Sequence, residues 1–139
     1  MYRNIVVAFD GSDGARAALR QAVGLALSSG GTLHLVGSTG HLEEADQGVV
    51  GGGAGAGSKI EELLEQTAGQ IEEVPVVTRV VAGGPIAGII DAAAQLGADL
   101  IVTGSRGRAT MPQAVLGRVT SGVVSNSPCD VLVVQPGTR

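Results

Sequence analysis

Residues 99–120 read DLIVTGSRGRATMPQAVLGRVT. Leu100, Ile101 and Val102 form a short continuous apolar run, and Gly104 and Gly107 follow it closely. Pro112 then stands where a helix opens, with Val115, Leu116, Val119, Val123 and Val124 recurring on its expected core side. A buried strand, a glycine turn and an amphipathic helix, in that order, make one unit of a parallel α/β sheet.

The same unit repeats outward from this stretch. Residues 5–9 (IVVAF) are a buried strand ended by Asp10-Gly-Ser-Asp13, where Ser12 or Asp13 can cap the next helix. Apolar residues at 15, 18, 19, 22, 23 and 26 give that helix its stripe, and Gly30-Gly31 stops it. Residues 33–36 predict a second strand. Residues 39–57 change character and end in a glycine-rich run, expected to be a mobile, low-complexity loop. Ser58 and Glu61 have capping-box spacing and predict the start of a helix whose apolar face is Ile60, Leu63, Leu64, Thr67 and Ile71. Residues 76–81 predict a third strand. Pro85 and Gly97 bracket a helix with Ile86, Ile89, Ile90, Ala93 and Leu96 on one face, and residues 131–134 predict the last strand after Pro128.

The alternation βαβαβαβαβ predicts a single α/β domain over residues 1–139, a doubly wound parallel sheet with helices on both faces. Such sheets bind ligands beyond the strands' C-terminal ends, where the strand order reverses. The loops after the first and fourth strands, Asp10–Asp13 and Gly104–Gly107, face one crevice if those strands are neighbours.

Composition narrows the chemistry. The chain has 139 residues, 44% hydrophobic and 16% charged, with one Tyr, one Phe and no Trp. Base-stacking nucleic-acid modules need aromatic platforms that it lacks. The net charge of −4 offers no global basic field for nucleic acid or an anionic membrane, so no nucleic acid and no membrane is expected as partner. No run approaches the roughly 20 apolar residues of a membrane span. Without a leader-like N-terminus, a cytoplasmic location is expected. The single cysteine, Cys129, forms no disulfide framework and reads as a packed thiol at a strand entrance.

The candidate site leaves alternatives open. The Gly104–Gly107 loop is either a phosphate cradle, with glycines admitting close backbone approach, or a plain turn with solvated arginines. Asp10 either accepts from a ribose hydroxyl or helps a metal beside a phosphate, or it only forms an Asx-turn. The run GGAGAGSK at 52–59 imitates a phosphate-binding loop but has Gly-Ser-Lys where the motif needs Gly-Lys-Ser/Thr. His34 and His41 lack any metal-ligand spacing and read as structural or solvent-facing. No convincing nucleophile–base pair is present.

At this point the residues resemble the universal stress protein family. The resemblance covers nearly the whole chain: residues 5–12 (IVVAFDGS), 17–22 (AALRQA), 81–85 (VAGGP), 98–108 (ADLIVTGSRGR), 116–117 (LG) and 127–134 (SPCDVLVV). It implies a five-stranded parallel sheet of order 3-2-1-4-5 and a homodimer through the last strand, Val131–Val134. The family's ATP-binding branch carries the signature G-x2-G-x9-G-(S/T), and Gly104, Gly107 and Gly117 match its glycines and both spacings. By this resemblance Gly107 and Gly117 line the triphosphate, and Arg106, Arg108, Arg118 and Val119 beside them are candidate nucleotide-binding residues. Gly104 lies by the ribose, Asp10 matches a nucleotide-side aspartate, and the backbone of Gly37 and Ser38 meets the adenine.

Arg118 departs from the hydroxyl residue that follows the third glycine. It can pair with a phosphate, point to solvent or obstruct the pocket; Thr120, two residues on, matches another hydroxyl position. The resemblance therefore implies a stress-response protein that binds ATP or another adenine nucleotide, with Mg²⁺ or Mn²⁺, and that regulates rather than catalyses. The alternatives are a nucleotide-independent dimeric interaction module whose phosphate site Arg118 alters, and a slow ATPase.

Overall fold

Strand β1 (Asn4–Ala8) is buried from Ile5 onward because neighbours flank it on both sides and helices cover both faces. In the computed structural model, which describes residues 1–39, 52–105 and 116–136, it is followed by α1 (Asp13–Ser29), β2 (Thr32–Ser38), α2 (Gly52–Gly69), β3 (Val76–Val81), α3 (Pro85–Leu96), β4 (Leu100–Gly104), α4 (Arg118–Asn126) and β5 (Asp130–Val134). The sheet order is β3-β2-β1-β4-β5, and every neighbouring pair is parallel. The expected order 3-2-1-4-5 is therefore observed.

Period-two alternation along the strands divides the core into two layers. Ile5, Val7, Phe9, Leu33, Leu35, Leu100 and Val102 face α1 and α2, where they meet Ala18, Leu19, Ala22, Ile60 and Leu64. Val6, Ala8, Val36 and Ile101 face α3 and α4, where they meet Ile89, Ala92, Ala93 and Val123. The small residues of α1 let that helix lie close on the sheet. With so few aromatics, branched aliphatics carry the core; burying each one fully is worth about 1.5–3 kcal/mol.

The strand order reverses between β1 and β4, which lie side by side in register from Ile5↔Leu100 to Val7↔Val102. The two loops that leave their C-terminal ends therefore share one crest, as the doubly wound topology requires.

Two helix starts differ from expectation. Helix α2 begins at Gly52, inside the glycine-rich run, so Ser58 is an interior residue and not a cap. Extending a helix already anchored by buried Ile60 and Leu64 costs only about 1 kcal/mol per glycine, far less than nucleating a new one. The remainder of the expected loop, 40–51, lies outside the described residues.

Helix α4 begins at Arg118, with Gly117 as its cap; Pro112, the expected start, lies outside the described residues. Its phase buries Thr120 and Val123, which leaves Val124 47% exposed about a quarter-turn away. Leu116, before the helix, is 40% exposed. Neither belongs to the core in the way its spacing suggested.

Candidate functional site

The crest begins at the end of β1. Asp10 is buried, and its Oδ1 accepts the Ser12 N–H at 2.9 Å. Gly11 between them has φ 82°, which only glycine adopts freely. Ser12 then caps α1, its Oγ accepting the Ala15 N–H at 3.1 Å. Asp10 thus forms the Asx-turn that its sequence allowed. Nearby, the Arg16 guanidinium lies over the Phe9 ring, 5.5 Å from its centroid.

Across the crest, β4 ends at Gly104. A Cβ on Gly104 would come within 2.7 Å of the Gly14 backbone, so this glycine is required by the close approach of α1 to β4. The next residue, Ser105, is almost fully buried and accepts the Gly117 N–H at 2.8 Å on its carbonyl. Thr120 Oγ1 donates to the Gly104 carbonyl at 2.6 Å. These two bonds fasten the start of α4 to the end of β4. They also commit the Thr120 proton to the backbone, so this hydroxyl cannot donate to a phosphate while that bond holds.

Helix α4 receives no side-chain cap from Gly117 and has no acidic residue in its first turn. Helix geometry gives the first N–H groups no intrahelical partner, and their aligned dipoles leave a partial positive charge there. Arg118 is exposed and lines a cavity of about 620 Å³ between α3 and α4, together with Pro85, Ile86, Ile90, Asp91 and Asn126. Val119 is half-buried against the second core layer. Of the remaining expected residues, Arg106, Gly107 and Arg108 lie outside the described residues.

The end of β2 is differently built. Ser38 is fully buried and donates to the Gly83 carbonyl at 2.7 Å, while the Gly83 N–H donates to Thr39 Oγ1 at 3.0 Å. Gly83 sits at φ 77° to make both bonds. A Cβ on Gly37 would meet the Ile60 side chain at 2.7 Å, so α2 occupies the space a side chain would take. Sequence reasoning singled out Gly37 and Ser38 for their position and missed Gly83 and Ser105. The paired glycines before Pro85 were the available signal for Gly83. Nothing local marks Ser105.

His34 and Cys129 lie away from the crest. His34 is 8% exposed, so it does not face solvent, and its Nε2 lies 3.3 Å from Asn4 Oδ1. Its Nδ1 has no hydrogen-bond partner among the described residues, and burial, helped by the Arg79 charge, holds its pKa below the usual imidazole value. Cys129 is half-buried, and burial pushes its thiol up. Among the described residues no group of His, Cys, Asp or Glu could hold a metal ion by itself, and no helix is long and apolar enough to cross a membrane.

Comparison with known proteins agrees with this architecture. A relative from Staphylococcus epidermidis that carries the universal stress protein name is 34% identical, covering 96% of this chain and 84% of its own. The universal stress protein UspA from Lactobacillus plantarum superposes with a TM-score of 0.71 at 29% identity, over 96% of this chain and 97% of that one. A universal stress protein solved in complex with cAMP shares the fold with a TM-score of 0.65 at 24% identity, over 98% of this chain and 99% of that one. The sequence model of the universal stress protein family matches residues 1–135, and the chain belongs to that family.

Proposed function

We propose that this universal stress protein binds an adenine nucleotide, ATP or a relative of it, at the crest between β1 and β4, and acts through that binding rather than through turnover. The observation that carries the reading is the N-terminus of α4. It sits at the switch point, has no side-chain cap and no first-turn acid among the described residues, and starts at the third glycine of the G-x2-G-x9-G spacing. Phosphate oxygens complement those amides and that dipole end. The cAMP bound to a protein of the same fold supports an adenine ligand.

In this reading the phosphates lie by Gly107, Gly117, Arg118 and Val119, flanked by Arg106 and Arg108, with Gly104 and Asp10 toward the ribose. The adenine meets the backbone of Gly37 and Ser38. Mg²⁺ or Mn²⁺ would be held mainly by phosphate oxygens and water, which suits a crest whose described residues form no protein metal cluster. Fast hydrolysis needs a group that activates water. The crest carboxylate nearest that task, Asp10, already accepts a backbone N–H.

A homodimer through the edge strand β5, with Leu132 partly exposed, and a cytoplasmic stress-response role complete the proposal. The test is to strip nucleotide from the purified protein and follow its melting temperature against ATP-Mg²⁺. Saturable stabilisation is expected, and none at millimolar ATP refutes the reading.

A specific observation favours a second reading. Thr120 spends its proton on Gly104, and Arg118, which lines the cavity beside α3, stands where the family has a hydroxyl donor. Both features suit a dimeric interaction module that needs no nucleotide. If Arg118→Ser creates nucleotide binding that the parent lacks, this second reading gains; if Arg118→Ala weakens existing binding, Arg118 is a phosphate ligand.

A further inference from the structure

We infer that Ser105 is the joint that couples the start of α4 to the edge strand β5, so that events at the crest are read out at the edge of the sheet. Each polar group of this 2% exposed residue goes to a different place. Its N–H donates to the carbonyl of Val134, the last residue of β5, at 3.0 Å. Its carbonyl accepts the N–H of Gly117, the cap of α4, at 2.8 Å. Its hydroxyl reaches Gln135 Oε1 at 3.4 Å.

The preceding residue repeats the pattern, because Gly104 takes the Thr120 hydroxyl on its carbonyl and stands in register with Val134. Two consecutive residues therefore hold the first turn of α4 on one side and the end of β5 on the other. The Gly104 carbonyl and the Ser105 N–H belong to one planar, stiff peptide unit, so a shift of Thr120 that tilts that carbonyl also moves the N–H that bonds Val134.

The opposite edge strand has no such link among the described residues. The crest bonds nearest β3 run from Ser38 and Thr39 to Gly83, and they join β2 to the turn before α3 without touching α4. Helix α4 itself packs on α3 and β5. Ordering α4's first turn therefore tightens β5 selectively. By reciprocity, whatever pairs with the β5 edge changes affinity at the crest by the same factor. This coupling rests on the nucleotide reading for its ligand arm only, since the hydrogen bonds that carry it are present without ligand.

Hydrogen exchange on the full chain, followed by mass spectrometry, tests it. In the ligand-free protein, Thr120→Val removes the bond to Gly104, and Gln135→Ala removes the weaker contact to Ser105 while leaving the core untouched. Both variants should speed exchange in residues 130–136, Thr120→Val by about fivefold and Gln135→Ala by less, with residues 76–81 of β3 unchanged. With ATP-Mg²⁺, exchange in 130–136 should slow by a factor of about five beyond any change in 76–81.

If ATP-Mg²⁺ raises the melting temperature but protects both edges equally, the joint is refuted and the nucleotide reading stands. If ATP-Mg²⁺ does not bind, the nucleotide reading fails, and the variants alone decide the joint. Unchanged exchange in 130–136 for a folded Thr120→Val or Gln135→Ala protein overturns it.

Discussion

Helices α1 and α4 start on the same crest, one after β1 and one after β4, and their first turns are finished in opposite ways. Ser12 caps α1 with its hydroxyl, Asp10 holds the Ser12 N–H, and Asp13 adds a carboxylate to the first turn. The positive end of that helix is compensated from within the chain. Helix α4 opens on a glycine with no side-chain cap, no acid, and Arg118 at its first position. Similar backbone ends thus carry different local charge, and the α4 end is the one that complements an anion in the proposed reading. Side chains complete the first turn of α1, whereas the cap of α4, Gly117, brings no side chain to its own helix.

Breaking the shared platform should have the largest effect. Gly104→Val sets a branched side chain against the Gly14 backbone, which has no flexible end to yield. A loss of about 3 kcal/mol or more in urea unfolding is expected, within or above the usual cost of overpacking. A variant as stable as the parent would mean that α1 and β4 do not meet as described.

Next comes the capped helix. Ser12→Ala removes the acceptor for the Ala15 N–H, so stability should drop by about 1 kcal/mol. Nucleotide affinity should change by less than about twofold, since no ligand contact is lost.

Capping helix α4 sharpens the contrast from the other side. Gly117 has φ −64° and ψ 158°, extended backbone that any residue adopts. Gly117→Asp should therefore raise ligand-free stability by about 0.3 kcal/mol, in thermal or urea unfolding, the gain of an aspartate over a glycine at a cap.

The smallest effect lies away from both helices. The folded-state pKa of His34 is lowered, so the unfolded chain binds the proton more readily. The contribution of neutral His34 is fully present above the unfolded value of about 6.5 and is lost as pH falls from there toward the lowered folded value. Unfolding midpoints measured across that range should fall with pH in the parent and fall less in His34→Gln.

What the sequence made legible follows from how local each cause is. β1 and β4 carry continuous apolar runs because both of their faces are covered. Pro85 and Gly97 bracket α3, as their fixed and left-handed backbones dictate. The strand order came from family resemblance, since periodicity is the same for any arrangement of these units. The start of α2 was missed because glycines read as loop, whereas tertiary anchoring at Ile60 and Leu64 carries the helix through them.

At the site, the switch-point position of Asp10 and Gly104 was legible from topology and resemblance. The roles of Ser38 and Ser105 were not. Each is fixed by a bond to a residue far along the chain, Gly83 for Ser38 and Val134 for Ser105. Thr120 matched a hydroxyl position in sequence, but only the fold brings its donor to the Gly104 carbonyl.

The most direct test of the contrast between the two helices is calorimetric titration of ATP-Mg²⁺ into nucleotide-free parent, Ser12→Ala and Gly117→Asp proteins. Saturable binding to the parent and to Ser12→Ala is expected, with closely matching affinities. At least a tenfold loss is expected in Gly117→Asp, about 1.4 kcal/mol, because an aspartate cap would occupy and repel the phosphate position. Absence of binding to the parent, or equal affinity for Gly117→Asp, would contradict this contrast.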